Sequence, residues 1–121
     1  MATVRPAVKV PELDLKHLER MYGFRNKQEV LNFLCERPQI IPLLEEGRPK
    51  IDKFFGTEVR VVLEVAIDPE SPDEESELFA CIQTRLSVQE AHERMKLLDE
   101  DWALSAFAKS DGDLCVDMEF V

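Results

Sequence analysis

The spacing of the apolar residues changes from a helical to a strand period near residue 56, and this change limits the folds that the sequence can adopt. Up to about residue 56 the apolar residues recur every three or four positions, which is the period of an amphipathic helix. From Glu58 to Asp68 they alternate with other residues, which is the period of a strand. The chain therefore joins a helical N-terminal part to a part that contains strands, which indicates an α+β protein.

The helical part is predicted to begin with an irregular or extended arm over residues 1–12, followed by two short helices. The first helix starts at Asp14, a good N-cap residue, and ends at Gly23 in the left-handed conformation. The second starts at Asn26, which forms a capping box with Glu29, and ends before Pro38.

A third helical stretch contains two residues that disfavour helices. Apolar residues keep the helical phase from residue 40 to residue 55, yet Gly47 and Pro49 interrupt them. Proline lacks the N–H that would bond to the carbonyl of Glu45, so two short helices are one interpretation. The preserved phase favours the other interpretation, a single kinked helix that ends at Gly56.

The second part is predicted to follow the order β-β-α-β. A strand over residues 58–68 leads into a loop over residues 68–77 that holds six acids and no base, and a second strand covers residues 78–86. Ser87 and Glu90 form a capping box at the start of a helix, and Leu114–Phe120 alternate as the last strand. We predict one domain over residues 1–121, with helices packed on a three-stranded, largely antiparallel sheet. The first strand is apolar on both faces, so we place it at the centre, between the second and the third.

Trp102 continues the apolar stripe of the last predicted helix and has two interpretations. The stripe consists of Val88, Ala91, Met95, Leu98 and Trp102, and its spacing predicts a core residue that packs the helix on the sheet. The apolar residues from 102 to 108 exceed what one helix face needs. Trp102, Leu104 and Phe107 are therefore also candidates for an interaction surface.

Several segments in this order resemble a family of small, functionally uncharacterised bacterial α+β proteins. The resemblance covers about two thirds of the chain, from Glu36 onward. It is carried by Pro38 with Ile41-Pro42-Leu43-Leu44, by Ile51 to Phe55-Gly56, by Val61-Leu63-Val65 with Asp68-Pro69-Glu70, by Leu78-Phe79, by Ser87 with Glu90-Ala91, by Leu98-Asp99-Glu100-Asp101-Trp102, and by Gly112-Asp113-Leu114-Cys115 with Glu119-Phe120. The resemblance implies an α+β fold and brings no established activity.

Charge and cysteine spacing restrict the function. The net charge is −10, whereas binding to nucleic acid relies on Lys and Arg, so nucleic acid is not an expected partner. The cysteines at 35, 81 and 115 form no metal-binding or disulfide pattern, which is typical of a reducing cytoplasm. No apolar stretch has the length of a signal sequence or a membrane span. No glycine-rich phosphate loop is present, and we predict no cofactor.

Two alternative functions depend on particular residues. Five carboxylates near the C-terminus could hold a divalent cation and support a metal-dependent hydrolase: Asp99, Asp101, Asp113, Asp117 and Glu119. The two N-terminal helices could instead form a DNA-binding helix-turn-helix, because residues 1–27 hold six bases and three acids. Since no catalytic pattern is present, we favour a small cytoplasmic, non-catalytic interaction or regulatory protein. It would bind a protein partner or a second copy of itself.

Overall fold

A computed structural model of the chain describes residues 12–67, residue 70 and residues 76–121. Helices and strands follow one another in a mixed order within these ranges. They are α1 (Glu12–Met21), β1 (Gly23–Phe24), α2 (Lys27–Glu36), α3 (Ile40–Phe55), β2 (Arg60–Ile67), β3 (Ser76–Thr84), α4 (Val88–Leu98), a π-helical turn (Asp99–Ala103), α5 (Leu104–Lys109) and β4 (Leu114–Phe120). The predicted arm, apart from Glu12, and most of the predicted acidic loop lie outside the described residues.

The sheet confirms the α+β class but differs from the predicted sheet in strand number, order and direction. Within the described residues it has four strands in the order β1-β2-β3-β4. β2 and β3 form the predicted antiparallel hairpin, whereas β1 runs parallel to β2 and β4 runs parallel to β3. The prediction of a three-stranded, largely antiparallel sheet with the last strand beside β2 is therefore wrong.

The connection between β3 and β4 explains the position of β4. The chain leaves β3, runs through α4, the π-helical turn and α5, and returns with Leu114 opposite Leu78. A helical crossover returns the chain to the end where the previous strand began, so it joins parallel strands. Apolar alternation identifies a strand and its buried face, but it does not specify which neighbour the strand will take.

β1 replaces the predicted left-handed end of the first helix. Gly23 lies opposite Val62 in the sheet, and it is not among the glycines with positive φ. The N–H of Arg25 then donates to the carbonyl of Leu63 at 2.9 Å. A strand of two residues is too short to show a period, and α1 also begins two residues before the predicted Asp14.

The other helix ends agree more closely with the sequence. Asn26 is the N-cap of α2, although its amide contacts the Glu29 carboxylate and caps no backbone N–H. α3 is one helix with Pro49 inside it, and Gly56 ends it at φ 95° with its N–H bonded to the carbonyl of Asp52. Ser87 caps α4 by accepting a hydrogen bond from the N–H of Glu90 at 3.2 Å.

One cluster of buried side chains lies between the helices and one face of the sheet. It includes Leu18, Leu44, Leu63, Ile82 and Trp102. Trp102 is 2% exposed, which confirms that it is a core residue, and a side chain at Gly47 of α3 would overlap its ring. The predicted stripe is wrong at Val88, which is 60% exposed at the start of α4.

Candidate functional site

One row of backbone groups of the last strand faces no other strand among the described residues. Among the described strands, β4 has a neighbour on only one side. The N–H of Val121 donates to the carbonyl of Thr84 at 3.0 Å, and Leu78 donates to the carbonyl of Asp113 at 2.7 Å. Because successive residues of a strand point their backbone groups to opposite sides, residues 115, 117 and 119 face β3, whereas 116, 118 and 120 face outward.

A carboxylate covers the middle of this free edge. Asp117 is exposed, and its Oδ1 accepts a hydrogen bond from the N–H of Met118 at 2.8 Å. Charged side chains on an edge strand protect it from unwanted pairing with other strands. A partner strand must therefore displace or neutralise the Asp117 carboxylate.

α5 carries two exposed apolar side chains, and one of them lies beside the turn that leads into β4. Phe107 is 48% exposed, and its ring lies next to Gly112 in the turn that leads into β4. Leu104 is 61% exposed and precedes Phe107 by three residues, so the two occupy one helix face. The hydroxyl of Ser110 fixes the turn because it donates to the carbonyl of Phe107 and accepts from the N–H of Leu114, both at 3.0 Å.

Trp102, the third residue predicted for the interaction surface, lies apart from Leu104 and Phe107. It occurs in the π-helical turn, where the helix contains an additional residue, and its ring points into the core against α3. A π-helical turn changes the helical phase, so residues that follow it no longer continue the preceding stripe. Leu104 and Phe107 remain as the accessible part of the predicted surface.

The carboxylates considered as metal ligands contact different partners. Asp101 lies 3.4 Å from the Lys50 ammonium, and Asp113 lies 3.4 Å from the Arg37 guanidinium. Burial, and then the neighbouring Glu100, raise the pKa of Asp99. Among the described residues, Glu119 is the only one of the five candidates that belongs to a group with metal-ligand spacing.

That group includes two residues that the sequence did not single out, and an arginine contacts it. Glu64 on β2, Cys81 on β3 and Glu119 on β4 have ligand atoms within 4.8 Å of one another. Arg25 donates to both oxygens of Glu119, at 2.9 and 3.0 Å, and to Glu64 at 3.1 Å. The hydrogen bonds that Glu119 accepts from Arg25, and then the one from Gln83, lower the pKa of Glu119. We call Arg25, Glu64 and Glu119 the arginine clamp, and no periodicity could have predicted it because Arg25 and Glu119 are 94 positions apart.

Two cations at the start of α2 form ion pairs, whereas Arg20 of α1 forms none with a described residue. Lys27, the first residue of α2, lies 2.8 Å from the Glu19 carboxylate, and Arg25 belongs to the arginine clamp. On α2, Gln28 donates to Asn32 at 2.9 Å. These groups already have protein partners, so they offer little to a phosphate backbone.

Comparisons with models of known protein families, with curated proteins and with solved structures found no significant match to this chain. Within the described residues, no helix combines the length and apolar character needed to cross a lipid bilayer.

Proposed function

We propose that this protein is a small cytoplasmic, non-catalytic interaction protein that binds a partner by strand addition at β4. The observation that carries the proposal is the free edge of β4, where the backbone groups of residues 116, 118 and 120 face outward. In strand addition, main-chain hydrogen bonds provide affinity and alternate side chains provide specificity. Leu104 and Phe107 extend the contact beyond the strand itself.

The charge of the surface favours a basic partner. The chain has a net charge of −10, and Asp117 is exposed at the middle of the edge strand. Lys or Arg on the added strand would neutralise Asp117 and free the N–H of Met118, and apolar residues between them would contact the exposed side chains. A second copy would instead bring ten more negative charges to the contact, so a different protein is favoured over a homodimer.

The two alternative functions gain less support from the described residues. A metal-dependent hydrolase requires its carboxylates to meet, and Asp101 and Asp113 each lie beside a different cation. A DNA-binding role requires several free cations at the N-terminal helices. Arg20 has no ion-pair partner among the described residues, but Lys27 and Arg25 pair with carboxylates.

A peptide of alternating lysine and valine tests the proposal. We expect saturable binding in an NMR titration, with the backbone amides of Val116, Met118 and Phe120 becoming protected from exchange. Leu104→Glu with Phe107→Glu should weaken binding. Leu97→Glu is the matched control, because Leu97 is 50% exposed and belongs to α4.

The substitutions separate strand addition from simple charge attraction. Each new glutamate makes the protein more acidic, so general attraction to a basic peptide would strengthen in both the double variant and the Leu97→Glu control. Binding that strengthens in the double variant, or amides at β4 that stay unprotected, would contradict the proposal. Sedimentation of the protein alone tests for a homodimer. If the protein forms a dimer and the double variant does not, the partner is a second copy of the chain and not a different protein.

A further inference from the structure

Two clefts adjoin at the end of the sheet where β2 begins and β3 ends. The larger, of about 550 Å³, is lined by Arg60 and Arg85 among other residues. The smaller, of about 370 Å³, is lined by Arg20, Arg48 and again Arg60. Glu58, Val59 and Arg60 belong to both linings, so the clefts form one groove with Arg60 at the junction.

This groove concentrates positive charge on an acidic protein. Four of the described basic residues line it, although the chain carries twenty-five acidic and only fifteen basic residues. Of the two acids in the lining, Glu19 lies 2.8 Å from the Lys27 ammonium and Glu58 faces both clefts. Arg20, Arg60 and Arg85 make no ion pair with any described residue.

Local structure fixes two of the arginines. Nη2 of Arg48 donates to the carbonyl of Val59 at 2.6 Å, and its Nε lies 3.1 Å from Asp52. Nη1 of Arg48 is buried and has no hydrogen-bond acceptor among the described residues. The guanidinium of Arg60 lies over Gly23, where a Cβ would be only 3.2 Å from Nη2. Because Gly23 has no side chain, the guanidinium of Arg60 can occupy the space above it and line the groove.

We propose that this groove binds a small molecule with two oxyanion groups, either phosphates or carboxylates. Guanidinium groups bind both kinds of oxyanion through paired N–H donors. Arg85 and Arg60 would hold one group in the larger cleft. Arg20 and Arg60 would hold the other in the smaller cleft, which Arg48 also lines. The groove is lined by Val121, the residue after β4, but by none of residues 116, 118 and 120 of the free edge, so it neither depends on the proposed function nor supports it.

Calorimetric titrations at constant ionic strength test this site with three probes. Fructose 1,6-bisphosphate carries two phosphates, adipate carries two carboxylates, and inorganic phosphate carries one group. We expect at least one of the two-group probes to bind about tenfold or more tightly than inorganic phosphate, since a second charge-assisted contact adds affinity. Comparison of the bisphosphate with adipate identifies the kind of oxyanion.

Variants then locate the binding. Arg60→Gln should weaken the two-group probe by about tenfold or more, and Arg85→Gln should reduce it toward the affinity of inorganic phosphate. Both arginines are exposed, so the fold should tolerate these changes, and thermal melting checks this. Lys109→Gln removes an exposed charge on α5 and should leave binding unchanged. Absence of binding by all three probes at millimolar concentration, or equal losses in all three variants, would overturn the proposal.

Discussion

The contact between Gly47 and Trp102 decides how closely α3 and the π-helical turn approach. A Cβ at position 47 would overlap the indole ring, so only glycine fits there without a shift of the ring or of α3. Both residues are buried, and the ring fills the space that the absent side chain leaves. The glycine that interrupts the helical pattern in the sequence is thus a packing requirement of the tryptophan.

Gly47→Ala should destabilise the protein although alanine is the better helix former. The gain in helix propensity is about 1 kcal/mol, whereas overpacking in a core costs about 1–3 kcal/mol. We expect a net loss in the free energy of unfolding, measured by urea denaturation, and Glu46→Ala on the exposed neighbour should show none. Trp102→Ala should cost about 3–5 kcal/mol. If Gly47→Ala is equally harmful when residue 102 is already alanine, the contact is not the cause.

The three cysteines should differ in reactivity. The pKa of Cys81 is raised to about 11, and so is the pKa of Cys115; burial of the thiol is the main cause in both cases. Both thiols therefore stay protonated near pH 8 and should react slowly with iodoacetamide, whereas Cys35 is exposed and should react first. Mass spectrometry of partly labelled protein measures the order, and labelling in denaturant should abolish the difference. Early modification of Cys81 in native protein would contradict this prediction.

At the scale of single elements, α3 shows that the phase of the apolar residues outweighs one unfavourable residue. Pro49 lies inside the helix, yet Ile40–Phe55 remain continuous because Ile40, Leu44 and Ile51 all enter the core. The sequence predicted this helix and its end at Gly56. It could not predict β1, because that strand depends on a distant partner, Val62 with Leu63, and not on a local pattern.

Pro49→Ala should stabilise α3. The substitution restores an N–H that can bond to the carbonyl of Glu45, and proline inside a helix is unfavourable by about 3 kcal/mol. The native helix already accommodates the ring and proline restricts the unfolded chain, so we expect only about 1 kcal/mol of added stability. Pro42→Ala is the matched control, since Pro42 lies in the first turn, where its missing N–H has no helical partner. A thermal melt in which both variants behave alike would contradict the prediction.

At the scale of the whole molecule, the arrangement of the strands was the feature of the fold that the sequence predicted least well. Alternation identified β2, β3 and β4 as strands, but the position of β4 follows from the crossover after β3, which sets direction and neighbour together. The candidate sites show the same limit. Leu104 and Phe107 could be identified from the sequence because residues 102–108 contain more apolar residues than one helix face needs. The arginine groove could not, because it combines residues from α1, α3, β2 and the segment after β3.

The acidic charge of the molecule predicts how its stability depends on salt. At a net charge of −10 the native state repels itself, and added salt screens this repulsion as the Debye length falls from about 30 Å at 0.01 M to about 8 Å at 0.15 M. We expect the melting temperature to rise over this range. Glu93→Gln with Glu100→Gln, both at exposed positions, should reduce the rise. A melting temperature that falls with salt would mean that ion pairs such as Lys27–Glu19 outweigh the repulsion.

The arginine clamp also has a consequence for the order of folding. The β2–β3 hairpin forms between neighbouring segments, while β1 and β4 join it from opposite sides. Arg25 follows β1 and Glu119 belongs to β4, so their contact requires both outer strands to be in place. If the transition state contains the hairpin alone, Arg25→Met speeds unfolding and leaves the refolding rate unchanged. Stopped-flow kinetics measure both rates, and slower refolding of the variant would instead place the closing of the four-stranded sheet before the rate-limiting step.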